Sequence, residues 1–190
     1  MNESIIIKQT DGLFTLFDAP INNVKPNGIT NLRKVYDAII SACYKEQAEC
    51  LRNIVDPKAA SLFKRQNLDY VTFGGIFHTR KDEAIVAHSG LLCVGVDCAC
   101  NVEELYSKLL HDHYFETQLL FRSVSGRGVK WVIKTDPNAP FRDYAKAVRN
   151  YIQQTYGVKV DGLIQSVSRA CFLPYDPQAF INQKLRKGDG

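Results

Sequence analysis

Asp97 and Asp161 are carboxylates, Lys130 and Arg169 are cations, and each sits at the edge of a short apolar run. Gathered at one place, such a set can hold a charged ligand. Ser125-Gly126-Arg127-Gly128 lies just before Lys130. Its backbone N–H groups could face a phosphate, with Arg127 and Lys130 beside it. Arg122, Arg127, Lys130 and Lys134 share a stretch with no acidic residue. His78, Arg80 and Lys81 form another basic group, able to grip a triphosphate. Each has a plainer alternative: a hairpin turn, a solvated loop, or a surface ion pair of little worth.

The elements that must position these residues are clearest from residue 89 onward. Leu91–Val96 is an apolar run ending in Asp97, a strand by its pattern. Asn101-Val102-Glu103-Glu104 is a capping-box signature, and the helix after it places Val102, Leu105, Tyr106 and Leu109 on one face. Residues 116–123 and 129–135 make a hairpin around the glycine-rich turn. Pro140 precedes a helix with Phe141, Ala145, Val148 and Ile152 on one side, stopped by Gly157. Residues 169–174 read as a fourth strand. The order βαββαβ predicts an α+β domain: an RNA-recognition-motif-like antiparallel sheet with both helices on one face.

Side-chain alternation then assigns the faces. Leu92, Val94, Val96, Leu119, Phe121, Val129, Trp131 and Ile133 turn toward the helices. Cys93, Gly95, Asp97, Arg122, Lys130 and Lys134 turn to the open face. In this topology strands three and four both flank strand one, antiparallel to it. Asp97 at the end of strand one therefore meets Lys130 and Arg169 at the starts of the other two, with Asp161 a loop away. Gly95 and Cys93 are small and leave room for a ligand.

The first 77 residues read as an N-terminal layer of the same domain. Residues 5–8 and 13–17 form a hairpin around Asp11-Gly12. A long helix follows over Leu32 to Ile54, capped by Thr30, then one opened by Asp56-Pro57, then a strand over residues 70–77 broken by Gly74-Gly75. Residues 78–183 are the core, and 184–190 a flexible tail or linker.

Composition is that of a globular chain: 45% hydrophobic, 23% charged, net charge +4. The mild positive charge permits an anionic partner without demanding one. No apolar run is long enough to span a membrane, and the six cysteines lie mostly in apolar runs, which suits buried thiols in a reducing, cytoplasmic setting. Cys98-x-Cys100 and His111-x-His113 suggest zinc, but the intervening helix would hold the pairs roughly 15 Å apart at about 1.5 Å per residue. Trp131 reads as core rather than as a base-stacking platform. His88 reads as a loop histidine.

Three ordered motifs carry a resemblance. Ser89 to Asp97, Ser123 to Lys130, and Val160-Asp161 with Ser168 to Pro177 resemble the N-terminal domain of virulence-associated protein E (VirE) type replication proteins of mobile elements. Phe73 to Glu83 fits the family's lead-in, and the likeness spans about residues 68–182. That family is similar to the archaeo-eukaryotic primase (primase-polymerase) superfamily. The resemblance implies a DNA-replication domain that binds a nucleoside triphosphate, single-stranded or primed DNA, or both, ahead of a helicase-type ATPase domain. It further implies Mg2+ or Mn2+ held by Asp97 and Asp161 if the site is active. Ala99 stands where the pattern has a second acid, and Lys130 where it has a histidine. Catalysis should therefore be weak or absent, while phosphate binding survives. The other readings are a non-catalytic RNA-recognition-type module that binds single strands, and a protein-interaction domain.

Overall fold

The computed structural model describes residues 8–97 and 101–186. Residues 5–7, Cys98-Ala99-Cys100 and 187–190 lie outside the described residues. The strands are β1 (Lys8–Gln9), β2 (Phe14–Phe17), β3 (Gly28–Thr30), β4 (Tyr70–Thr72), β5 (Gly75–Phe77), β6 (Ile85–His88), β7 (Leu91–Asp97), β8 (Thr117–Arg122), β9 (Gly128–Lys134), β10 (Cys171–Phe172) and β11 (Phe180–Ile181). The helices are α1 (Leu32–Ile40), α2 (Lys45–Asn53), α3 (Pro57–Asn67), α4 (Val102–Leu110), α5 (Phe141–Tyr156) and α6 (Gln183–Arg186). The fold is α+β.

The βαββα portion forms as its pattern dictates. Asn101 caps α4 by accepting from the N–H groups of Glu103 and Glu104. Gly157 ends α5 at φ 65°, a left-handed conformation that favours glycine. Leu92, Val94, Val96, Val129, Trp131 and Ile133 pack with Leu105, Leu109, Ala145, Val148 and Ile152 in one apolar layer. Trp131 is fully buried, and its indole N–H donates to Thr117 Oγ1 at 2.8 Å. Buried so, it offers no stacking surface.

The fourth strand departs from the expected topology. The sheet order is β11-β8-β9-β7, so β7 is an edge rather than a centre. β10 instead pairs antiparallel with β4, in a second sheet ordered β10-β4-β2-β3. The physical reason is apolar: Cys171 and Leu173 bury against Val71, Phe73 and Phe14 of that second layer. A lone bridge between Val96 and Val160, with Asp161 N–H donating to Gly95 O at 3.0 Å, takes the place beside β7.

The face opposite α4 and α5 is largely covered. Leu91, Leu119, Phe121 and Val132 meet α1 and the second sheet there. Leu119 and Phe121 thus face away from α4 and α5, and Leu120 faces them, because an irregularity between Thr117 and Leu119 shifts the register by one.

The N-terminal layer differs in detail from its pattern. β2 pairs with β3 and β4, while β1 pairs parallel with β6, so the two do not form a hairpin. Asn31, not Thr30, caps α1, because Thr30 ends β3. The expected long helix breaks at Ser41, whose hydroxyl accepts from Cys43 N–H and starts a 3-10 turn ahead of α2. Cys43 and Cys50 are exposed rather than buried. β4 and β5 belong to different sheets. Lys184 sits in α6 and pairs with Glu116 at 2.6 Å. No helix of the described residues is long and apolar enough to cross a membrane.

Candidate functional site

Register alone places the first pair of site residues. Gly95 stands opposite Lys130, and Asp97 opposite Gly128. A Cβ on Gly95 would collide with Lys130 Nζ, so the ammonium lies across the space that glycine leaves. Asp161 arrives through the Val160 bridge and caps the short turn Gly162–Gln165, its Oδ1 accepting from Leu163 N–H at 3.0 Å. Arg169 pairs with Asp161 Oδ2.

The loop carrying Arg169 is held from outside. Asp82 Oδ1 accepts from Ser168 N–H at 2.9 Å, Ser168 Oγ at 2.6 Å and Ser166 Oγ at 2.8 Å. Burial acts to raise the Asp82 carboxyl, but the hydrogen bonds from Ser168 and Ser166, with Arg142 nearby, leave it below its ordinary value. The same loop runs so close to Gly74 that a Cβ there would strike Val167 O.

These elements enclose a cleft of about 140 Å³ lined by Asp97, Lys130, Asp161, Arg169, Ser123, Ser125 and Lys64. It shares Lys64, Asp97 and Ser125 with a wider groove of about 740 Å³, whose walls include Arg52, Pro57, Ala60 and Arg127. The turn after β8 is fastened by α2: Val124 is buried against Ala48 and Leu51, and Arg52 Nε donates to Val124 O at 3.1 Å. Gly126 adopts φ 72° there, and Arg127 N–H donates to Ser125 Oγ at 3.4 Å.

The electrostatics are one-sided. Arg52, Lys64, Arg127, Lys130 and Arg169 face two carboxylates, Asp97 and Asp161, a surplus of three positive charges. Burial, then Lys130, Arg169 and Arg127, hold the Lys64 ammonium below its ordinary value, while Asp97 pulls the other way. Burial likewise lowers Arg169, opposed by Cys93, Cys171 and Asp97. A lysine depressed by burial and by neighbouring cations is relieved by an anion.

A pair of divalent cations does not fit this donor set. Both Asp161 carboxylate oxygens are engaged, one by Leu163 N–H and the other by Arg169. Lys64 and Lys130 line the same cleft as Asp97 and would repel a cation held there. Among the described residues no group of three or more His, Cys, Asp or Glu side chains is arranged to hold a metal.

The other sequence candidates lie elsewhere. Arg122 packs over the Tyr106 ring and pairs with Glu103 and Asp176, on the α4 side of the sheet. The register shift in β8 puts it there. Arg80 stacks on Tyr70 and donates to Tyr70 Oη at 3.2 Å and Ile21 O at 3.0 Å, fastening the loop after β2. His78 and Lys81 are exposed and line neither compartment of the cleft. His88 is half-buried beside the Phe141 ring. Ser89 is a structural residue: it is buried, its hydroxyl accepts from Leu91 N–H at 3.0 Å, and Gly90 at φ 75° launches β7. Lys64 and Arg52 were not singled out from sequence. The amphipathic face of α3 hints at Lys64, next to Phe63 and one turn after Ala60, but nothing local says that α3 faces the β8–β9 turn.

A family model described as BT4734-like, N-terminal domain, matches residues 63–180. No curated protein and no solved structure matches the chain.

Proposed function

The chain belongs to the BT4734-like N-terminal domain family, and on that premise we propose that its cleft binds the phosphates of a nucleotide or of single-stranded nucleic acid. The observation that carries this reading is the cation surplus of Lys64, Lys130, Arg127 and Arg169 around a cleft with two serine hydroxyls. Guanidinium, ammonium and hydroxyl donors without a matching set of acids are the chemistry of phosphate recognition. The three motifs that resemble VirE-type replication proteins converge here, which supports a primase-polymerase-like domain of a mobile-element replication protein. A helicase-type ATPase would then be its partner. With Ala99 and Lys130 at the departures from that pattern, and Asp161 committed to Arg169, nucleotidyl transfer is weak or absent.

Thermal-shift titration with a nucleoside triphosphate, with and without Mn2+, tests the reading. Stabilisation is expected without the metal. For single-stranded DNA, four phosphate-contacting cations give a slope of about −3 in log K against log salt. Absence of both a thermal shift and salt-dependent DNA binding would overturn it. Primer extension with Mn2+ or Mg2+ that is lost in Asp97→Ala would instead establish a working polymerase centre.

A further inference from the structure

Two thiols that the phosphate reading does not use lie beside the cleft: Cys171 lines it, and Cys93 stands behind Cys171. Cys93 is on β7 and Cys171 on β10, so they belong to different sheets and are 78 residues apart in the chain. Their sulfurs stand 4.0 Å apart across the seam between the two sheets, with the Cys93 thiol donating to Cys171. Cys93 is half-buried, Cys171 is buried, and both are free.

A cavity of about 20 Å³ is lined by both cysteines, together with Gly95, Lys130 and Arg169. That is room for about one water-sized molecule. Cys171, Lys130 and Arg169 also line the 140 Å³ cleft, so the same side chains wall both spaces. The Cys93 thiol donating to it, together with Lys130, Arg169 and Lys64, favours the Cys171 thiolate against the cost of burial. Cys93 is correspondingly held as the thiol. A thiol in electropositive surroundings with a second sulfur beside it is the arrangement of a nucleophile and its resolving partner.

We propose that Cys93 and Cys171 are a redox-active pair that closes to an intramolecular disulfide when hydrogen peroxide enters the cleft. Cys171 gives up its proton, its sulfur attacks one peroxide oxygen, the O–O bond breaks, and the departing hydroxide takes that proton and leaves as water, giving a sulfenic acid. The Cys93 sulfur then attacks the Cys171 sulfur, the S–O bond breaks, and the departing hydroxide takes the Cys93 proton. Two thiols and one peroxide become one disulfide and two waters. The sulfurs must close to about 2.05 Å, which ties β7 to the strand that begins two residues after Arg169. The proposal stands on the thiol geometry and does not require that the cleft bind phosphate.

The test is peroxide treatment of a chain with Cys43, Cys50, Cys98 and Cys100 replaced by serine, followed by alkylation and non-reducing peptide mapping by mass spectrometry. The expected product is a cross-linked peptide pair containing Cys93 and Cys171, absent after dithiothreitol and formed more slowly in urea. If both thiols stay alkylatable, or Cys171 runs on to sulfinic acid without a cross-link, the proposal fails. The same mapping on the unsubstituted chain covers the case that the serine background does not fold. In Cys93→Ser, Cys171 should be trapped as a sulfenic acid that dimedone labels. Label on Cys93 in Cys171→Ser, with none on Cys171 in Cys93→Ser, would overturn the assignment of the nucleophile.

Discussion

The two faces of the central sheet are built by opposite strategies. The face under α4 and α5 is closed by helices that directly follow the strands they cover, and everything on it is apolar or satisfied. The other face is closed by α1, the second sheet and the β10 segment, which come from both ends of the chain. That cover stops short of the β7 C-terminus, and the uncovered corner holds Lys130, Asp97, Asp161 and Arg169. A locally closed face makes a core. A face closed from afar leaves a rim, and charged side chains can meet there without being fully desolvated.

The sharpest way to break this comparison is to empty the core side. Trp131→Ala is expected to cost about 3–5 kcal/mol of stability in urea denaturation. A fully buried aromatic and a hydrogen bond to Thr117 are lost together. A smaller loss would mean that the helix face is less tightly packed than its burial implies.

Asp82→Ala strikes the tether of the Arg169 loop rather than a core. Three hydrogen bonds to Ser166 and Ser168 disappear, for an expected cost of about 1–3 kcal/mol. Hydrogen exchange should rise in residues 166–170 and not in β9. Uniform loosening would show that Asp82 serves the whole domain.

Lys130→Ala probes the rim itself. It is expected to weaken anion binding about tenfold, near 1.4 kcal/mol, while stability moves by only about 0.5 kcal/mol as at other surface sites. Fluorescence anisotropy with labelled single-stranded DNA and a parallel melt separate the two effects. Gly95→Ala sharpens the same point without removing a charge. Its added methyl displaces only the far end of the Lys130 side chain, so binding should fall with little change in Tm.

The smallest effect is acid sensitivity. The folded Asp82 carboxyl lies below its ordinary value. Its contribution is therefore fully present above about pH 4 and is lost as pH falls through the lowered folded value. Asp82→Asn should flatten that part of the stability profile, and a profile unchanged by the substitution would contradict the assignment.

Much of this was legible in the residues. The capping box at Asn101, the stop at Gly157 and the alternation along β7 and β9 are local signals, and the elements formed where they pointed. The α1 cap one residue late and the break at Ser41 show how side-chain hydrogen bonds reset boundaries that periodicity leaves loose. The register of β8 was not legible. One extra residue near Gln118 exchanges the faces of Leu119, Leu120 and Phe121, and it carries Arg122 away from the cleft.

By itself the sequence determined the α+β composition and the face of β7 and β9 that becomes core. It also determined that Asp97 ends a strand opposite the glycine-rich turn, because these follow from alternation and turn chemistry within a few residues. Only the tertiary structure decided which sheet β10 joins, that Asp161 reaches β7 by a single bridge, and that Lys64 of α3 completes the cleft. Those choices depend on which distant apolar faces bury each other best. The pairing energy of Cys171 and Leu173 with Val71, Phe73 and Phe14 is written in no single segment of the chain.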